Sequence, residues 1–199
     1  MHRSELLQRL ERYAVSPFLT PEEGPALERM GAFVRAHPDC FLRALEVGHM
    51  TASAWVLDAD GSRALLVHHK KLDRWLQPGG HADGNADLLL VACAEVREET
   101  GIEASIVSSE IFDVDVHPIP QHQTVPAHFH YDVRFLLCAP SDAQPIVSDE
   151  SHDVRWFNTD EILRLGVDRS VERLVEKSRN LSTDALVHSL SSSGDAGAS

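Results

Sequence analysis

A chain of 199 residues with 43% hydrophobic content can bury one good core, so one domain with appendages is the expected organisation. With 31 acidic against 18 basic residues the formal charge is -13, which argues against nucleic acid or an anionic membrane as a partner and favours small substrates carried with cations. The three cysteines, Cys40, Cys93 and Cys138, are odd in number and in no Cys-x-x-Cys arrangement, so the chain is expected to work in a reducing cytoplasm without a disulfide framework or a structural zinc site.

The opening MHRSELLQRLERY is amphipathic without the apolar core of a signal peptide, and no apolar run in the chain reaches membrane-spanning length. Leu6, Leu7 and Leu10 form a helical stripe that breaks around Ser16 and Pro17. Thr20-Pro21-Glu22-Glu23 then supplies an N-cap, a proline for the first turn and a capping glutamate, and Ala26, Leu27, Met30, Phe33 and Val34 continue at helical spacing until His37-Pro38. Residues 1–44 are therefore expected to be a helical extension. It could pack on the main domain, cover its site or form a homodimer contact, and the sequence leaves these three open.

From His49 the period changes. Residues 50 to 58 and 62 to 68 are two apolar, β-prone runs separated by Asp58-Ala59-Asp60-Gly61, which predicts a hairpin. His68-His69-Lys70-Lys71, with Arg74 and Trp75 behind it, is the one dense basic patch of an acidic chain and immediately precedes a Pro-Gly-Gly sequence. Lys70 and Arg74 are candidate phosphate contacts there, set against the plainer reading of a solvated connector with a core tryptophan.

The stretch from Pro78 to Ile102 carries the chemistry. If the segment after Asn85 is helical, Glu95, Glu98 and Glu99 fall at i, i+3 and i+4 and share one face. On a solvated helix such like charges cost about 0.2–0.5 kcal/mol per pair, whereas a divalent cation that takes up their oxygens reverses the sign. Gly79 and Gly80, read as a tight turn, let backbone carbonyls approach an ion and leave room for phosphate at the helix start.

These residues resemble the signature of the Nudix hydrolases: a glycine, a glutamate six positions on, and later Arg-Glu-hydrophobic-any-Glu-Glu-any-Gly-hydrophobic. With Gly101 on the last glycine, Gly80 falls on the first, Glu95, Val96, Glu98 and Glu99 fall on their counterparts, and Ile102 takes the final hydrophobic position. Two positions depart, since Ala86 stands where the early glutamate belongs and Ala94 where the arginine belongs. Arg97 is expected to lean back one turn and supply part of the missing charge.

The resemblance implies an α/β fold, a mixed α+β sheet between helices in an α/β/α sandwich, over residues 45–180. It also implies a pyrophosphohydrolase that cleaves the diphosphate linkage of a nucleoside diphosphate derivative with Mg²⁺ or Mn²⁺. Carried over residue by residue, the Gly79 carbonyl, Glu95, Glu98 and Glu99 would ligate metal, and Glu98 and Glu95 are the candidate catalytic residues. The departures at Ala86 and Ala94 keep a second reading open, a Nudix-fold module that binds or senses a nucleotide without turning it over.

Beyond the helix two more strands can be read. Phe112, Val114 and Val116 alternate with Asp113, Asp115 and His117, and Phe129, Tyr131, Val133, Phe135 and Leu137 alternate with His128, His130, Asp132 and Arg134. If these strands are neighbours, their polar faces make one patch. Its readings, in order of preference, are substrate recognition, which with Gly80 would use His117, His130 and Arg134; the wet side of a sheet; and a zinc site on His117, His128 and His130. A strand over residues 152 to 157, a short helix capped by Asn158 or Thr159 and stopped at Gly166, and a last helix with Val171, Leu174, Val175 and Ser178 inward complete the domain. Residues 181–199 turn to Ser, Gly and Ala and are expected to be a disordered tail.

Overall fold

The computed structural model describes residues 3–181, so the expected tail lies, past Leu181, outside the described residues. In chain order the elements are α1 (Arg3–Tyr13), a 3-10 turn (Pro21–Glu23), α2 (Gly24–Ala36), β1 (Gly48–Leu57), β2 (Arg63–His69), β3 (Arg74–Leu76), β4 (Gly79–His81), α3 (Leu88–Thr100), β5 (Ser105–Ile106), β6 (Asp113–Ile119), β7 (His128–Cys138), β8 (Ser151–Asn158), α4 (Thr159–Arg164) and α5 (Arg169–Arg179). The strands form an eight-stranded mixed sheet in the order β3-β2-β1-β7-β5, with β4 on β1, β6 on β7 and β8 on β2. This is the mixed α+β class expected from the sequence. No described helix is long and apolar enough to cross a membrane.

The chain divides into two compact units. One comprises the chain up to Ser53 with Gly79–Ala92 and Glu110–Phe135; the other comprises Ala54–Pro78, Cys93–Ser109 and the chain from Leu136 onward. In the first unit α1 packs on α2, and α2 packs on β6. Tyr13 donates its hydroxyl to Glu23 Oε1 at 2.6 Å and lies 3.0 Å from the Phe112 carbonyl oxygen. Glu23, fully buried, also accepts from the Val114 N–H at 3.2 Å and, through Oε2, from the Thr20 N–H and hydroxyl at 2.9 and 2.8 Å. One carboxylate thus ties the start of α2 to the strand beyond it, as a buried acid must find donors. Phe33 of α2 stacks on Tyr131 of β7, ring centroids 3.8 Å apart.

Strand pairing in the same unit is antiparallel, β4 on β1 through Thr51↔His81, Ala52↔Gly80 and Ser53↔Gly79, and β6 on β7 from Asp113↔Arg134 to Ile119↔His128. In the second unit β2 pairs with β1 at Leu57↔Ala64, with β3 at His68↔Trp75, and with β8 from Arg63↔Asn158 to His69↔Ser151. The predicted hairpin turn is closed by Asp58, which accepts from the Arg63 N–H at 3.1 Å and its Nε at 2.7 Å, with Gly61 at φ 74°. Asn158 caps α4, accepting from the N–H groups of Asp160 and Glu161, and Gly166 follows at φ 68°.

Candidate functional site

The second unit holds the three glutamates. Leu88 to Thr100 form one helix, so Glu95, Glu98 and Glu99 take the spacing that puts carboxylates on one face. Their exposure is graded: Glu99 is buried, Glu95 half-buried and Glu98 exposed. The helix ends where the motif glycine stands, because Gly101 adopts φ 70° and its N–H returns to the Arg97 carbonyl at 2.9 Å. A Cβ at Gly101 would come within 3.1 Å of Ile146 Cδ1. Arg97 does not lean back toward Ala94; its exposed guanidinium lies 3.9 Å from Glu103, beyond the helix end. Carboxylate oxygens, graded from core to solvent along one face, fit a hard divalent cation.

Gly79 and Gly80 belong to the first unit and correct the turn reading. They form β4 with His81, and the glycine at 79 is required by strand spacing, since a Cβ there would stand 2.2 Å from the Cβ of Ser53 and 2.8 Å from the Ala52 carbonyl oxygen. The turn comes later, at Asp83 and Gly84 with φ 45° and 87°.

The polar patch on β6 and β7 forms as the alternation predicts, with Asp113 opposite Arg134, Asp115 opposite Asp132 and His117 opposite His130. It is not the wet side of a sheet: Asp113, Asp132 and Arg134 are 0%, 4% and 2% exposed. Arg134 donates Nε to Asp132 Oδ2 at 2.8 Å and meets Asp113 at 3.3 Å and Asp115 at 3.5 Å. Asp132 also accepts from the hydroxyls of Thr51 and Ser53 at 2.9 and 2.8 Å. Burial by itself works against a charged guanidinium, but Asp132, Asp113 and Asp115 overcome it and hold Arg134 protonated. The cation expected to meet substrate is therefore taken up inside the protein, and its role is to fix the two strands.

His117 and His130 lie at the other end of this face. His117 Nδ1 donates to Asp115 at 2.9 Å, and His130 stands against His128, with Nε2 atoms 3.3 Å apart. Sequence reasoning missed two further histidines that converge here, His49 on β1 and His81 on β4. The zinc set His117, His128 and His130 is corrected accordingly: among the described residues, the three histidines with ring nitrogens within 4.8 Å of one another are His49, His81 and His130.

The basic patch lies in the second unit and is spread out. Lys70 is exposed and donates Nζ to the Asp149 carbonyl at 2.7 Å, while His68 and Trp75 stack with centroids 4.9 Å apart. Arg74 is exposed and lines a 380 Å³ cavity together with Asp73, Trp75 and Leu165 to Asp168.

The family model of the NUDIX domain matches residues 48–177 of this chain. Among solved structures, the E. coli dihydroneopterin triphosphate pyrophosphohydrolase is similar at 17% identity and TM-score 0.53, covering 64% of this chain and 92% of that one. A Nudix-family hydrolase from Clostridium perfringens is 18% identical over 70% of this chain and 97% of that one, with TM-score 0.48. A C. elegans Ap4A hydrolase is 15% identical over 64% and 93%, also with TM-score 0.48. Identities of this size speak to the fold alone. No curated protein sequence matches the chain.

Proposed function

The chain belongs to the Nudix family, and from that premise we propose that it is a metal-dependent pyrophosphohydrolase acting on a nucleoside diphosphate derivative. The observation that carries this reading is the acidic face of α3, where Glu95, Glu98 and Glu99 survive at i, i+3 and i+4. These carboxylates would hold a Mg²⁺ or Mn²⁺ ion, which would supply charge neutralisation for the diphosphate and make the attacking water more acidic. Glu98, exposed at the face, accepts the proton of the attacking water; the water oxygen bonds to one phosphorus while the bond from that phosphorus to the bridging oxygen breaks, and the other phosphate leaves with that oxygen and the electron pair. Glu95 and Glu99, with less solvent, are the better-fixed ligands. His117 and His130 contribute to substrate binding on the first unit, and Lys70 and Arg74 to phosphate contact on the second. Three free cysteines suit a cytoplasmic setting.

The sensing module is supported by one specific observation: Arg97 pairs with Glu103 and gives Ala94 no replacement for the family's arginine. Phosphate release from a panel of nucleoside diphosphate derivatives with Mg²⁺ or Mn²⁺ separates the two. The enzyme turns over at least one of them, loses nearly all turnover on Glu98→Gln, and gains about 10 to 100-fold on Ala94→Arg, the range expected for restoring a ligand-orienting partner. Tight binding with no turnover on any of them identifies the sensor.

A further inference from the structure

Five histidines gather on the polar face of the first unit, contributed by four strands. His49 of β1 has ring centroids at 5.0 Å from His81 of β4, 5.0 Å from His128 and 4.9 Å from His130 of β7. His130 also lies 4.9 Å from His81 and 5.5 Å from His117 of β6. The register explains the gathering. His81 is opposite Thr51, two residues from His49 on the same face, and His117 is opposite His130.

His49 is the telling member. It is 3% exposed, and among the described residues neither Nδ1 nor Nε2 makes a hydrogen bond of good geometry, although the Leu45 backbone is near enough to act on the ring. A buried imidazole normally satisfies at least its N–H with a well-made hydrogen bond, so a ring without one, set among four other imidazoles, marks a place where something is to be bound. The rings are also in the right state for it. Burial first, and then the positive charge each neighbour would carry, lowers the pKa of His49, His81 and His130, that of His81 to about 4, so all three offer lone pairs at neutral pH. Outer contacts orient the group: a carbonyl only accepts, so His128 Nδ1 must donate to the Pro126 oxygen at 2.8 Å, and its Nε2, when neutral, accepts from His130 Nε2 at 3.3 Å. This is how metal-binding histidines are fixed in one tautomer.

We propose that His49, His81 and His130 form a binding site for a divalent transition metal, Zn²⁺ being the reference ion, separate in residues and in chemistry from the carboxylates of α3. Imidazole nitrogens suit Zn²⁺ and its neighbours, whereas Mg²⁺ seeks oxygen. The three ring nitrogens lie within 4.8 Å of one another, and tetrahedral Zn²⁺ with Zn–N of about 2.0–2.1 Å needs them about 3.3 Å apart. Rotation about the soft χ2 of each histidine closes such a gap at little cost. Three protein ligands leave a fourth position for water or a ligand oxygen, as in zinc sites that exchange what they hold.

The test uses the full chain, stripped with chelator and re-equilibrated with Zn²⁺ or Co²⁺ in excess Mg²⁺, which occupies the carboxylates. One Zn²⁺ per chain is expected to remain after gel filtration, the Co²⁺ form is expected to show the visible bands of low-coordinate cobalt, and Zn²⁺ should shift the ring ¹⁵N resonances of three histidines. His81→Gln, at a half-buried position, should lower Zn²⁺ affinity by at least about tenfold, since even the loss of an outer partner costs that much. His49→Ala should do the same if its circular dichroism is native, and Glu98→Gln and His152→Ala should leave affinity unchanged. Absence of retained Zn²⁺ in the unaltered chain, or undiminished affinity in His81→Gln, overturns the site. Neither result bears on the carboxylates, whose occupancy is read separately from Mg²⁺-dependent turnover.

Discussion

At the scale of single residues, Arg134 shows how a substrate-binding reading and a structural one separate. A cation in a patch of histidines and aspartates reads as phosphate-binding, but Arg134 is 2% exposed and engaged by Asp113, Asp115 and Asp132. Removing one member of a buried ion cluster leaves the others uncompensated, so Arg134→Ala is expected to cost about 3–5 kcal/mol of stability, read by urea unfolding. Arg134→Lys should recover only part of it, because one ammonium cannot serve three carboxylates as a planar fork does. Substrate affinity measured well below the melting temperature should change little in Arg134→Lys. A variant that keeps full stability but loses substrate affinity would return the residue to the binding site. Asp132 behaves as the partner charge, holding Thr51 and Ser53 of β1 as well.

At the scale of elements, β4 illustrates what sequence pattern conveys and what it does not. Pro-Gly-Gly is strong turn punctuation, yet Gly79 is a strand residue whose hydrogen side chain is demanded by Ser53 across the ladder. Gly79→Ala is therefore expected to destabilise by about 1–3 kcal/mol, as overpacking does, with a lowered melting temperature as the readout. An unchanged melting temperature would mean that β4 does not hold this spacing to β1 in solution. What was legible were features fixed by local rules. The period of two placed Asp113, Asp115 and His117 on one face and His130, Asp132 and Arg134 on another, and pairing made them one patch. Thr20 with Glu23, Asn158 and Gly166 were readable as helix ends because caps are local chemistry. The burial of the polar patch was not legible, since it depends on what covers the sheet. Nor was the recruitment of His49 and His81, which lie 32 residues apart by number and meet only through the β1–β4 register.

At the scale of the whole molecule, the histidine cluster makes stability depend on pH in a direction that can be worked out. His81, His130 and His49 all have pKa values below the ordinary 6.5 in the fold, His81 at about 4, chiefly because burial penalises the charged ring. Arg43, His117 and His128 face the cluster and push the same way, while Asp83 opposes them weakly. In the unfolded chain these rings regain ordinary values. Above about pH 6.5 both states are neutral and the cluster contributes no pH dependence; as pH falls below 6.5 the unfolded chain takes up protons that the fold refuses. The metal-free protein should therefore lose stability progressively between pH 6.5 and about 4, with His130 extending the loss further. A chain of formal charge -13 is meanwhile relieved of self-repulsion as acid neutralises it, an effect of opposite sign spread over the surface. The two are separated by difference: melting temperatures measured in chelator from pH 7.5 to 4.5 for the unaltered chain and for His81→Gln with His130→Gln, at one ionic strength. The unaltered chain is expected to fall more steeply than the double variant below pH 6.5, and the two curves to run parallel above it. Parallel curves throughout would mean that these rings are protonated in the fold as readily as in the unfolded chain, and that they are not the desolvated group the geometry describes.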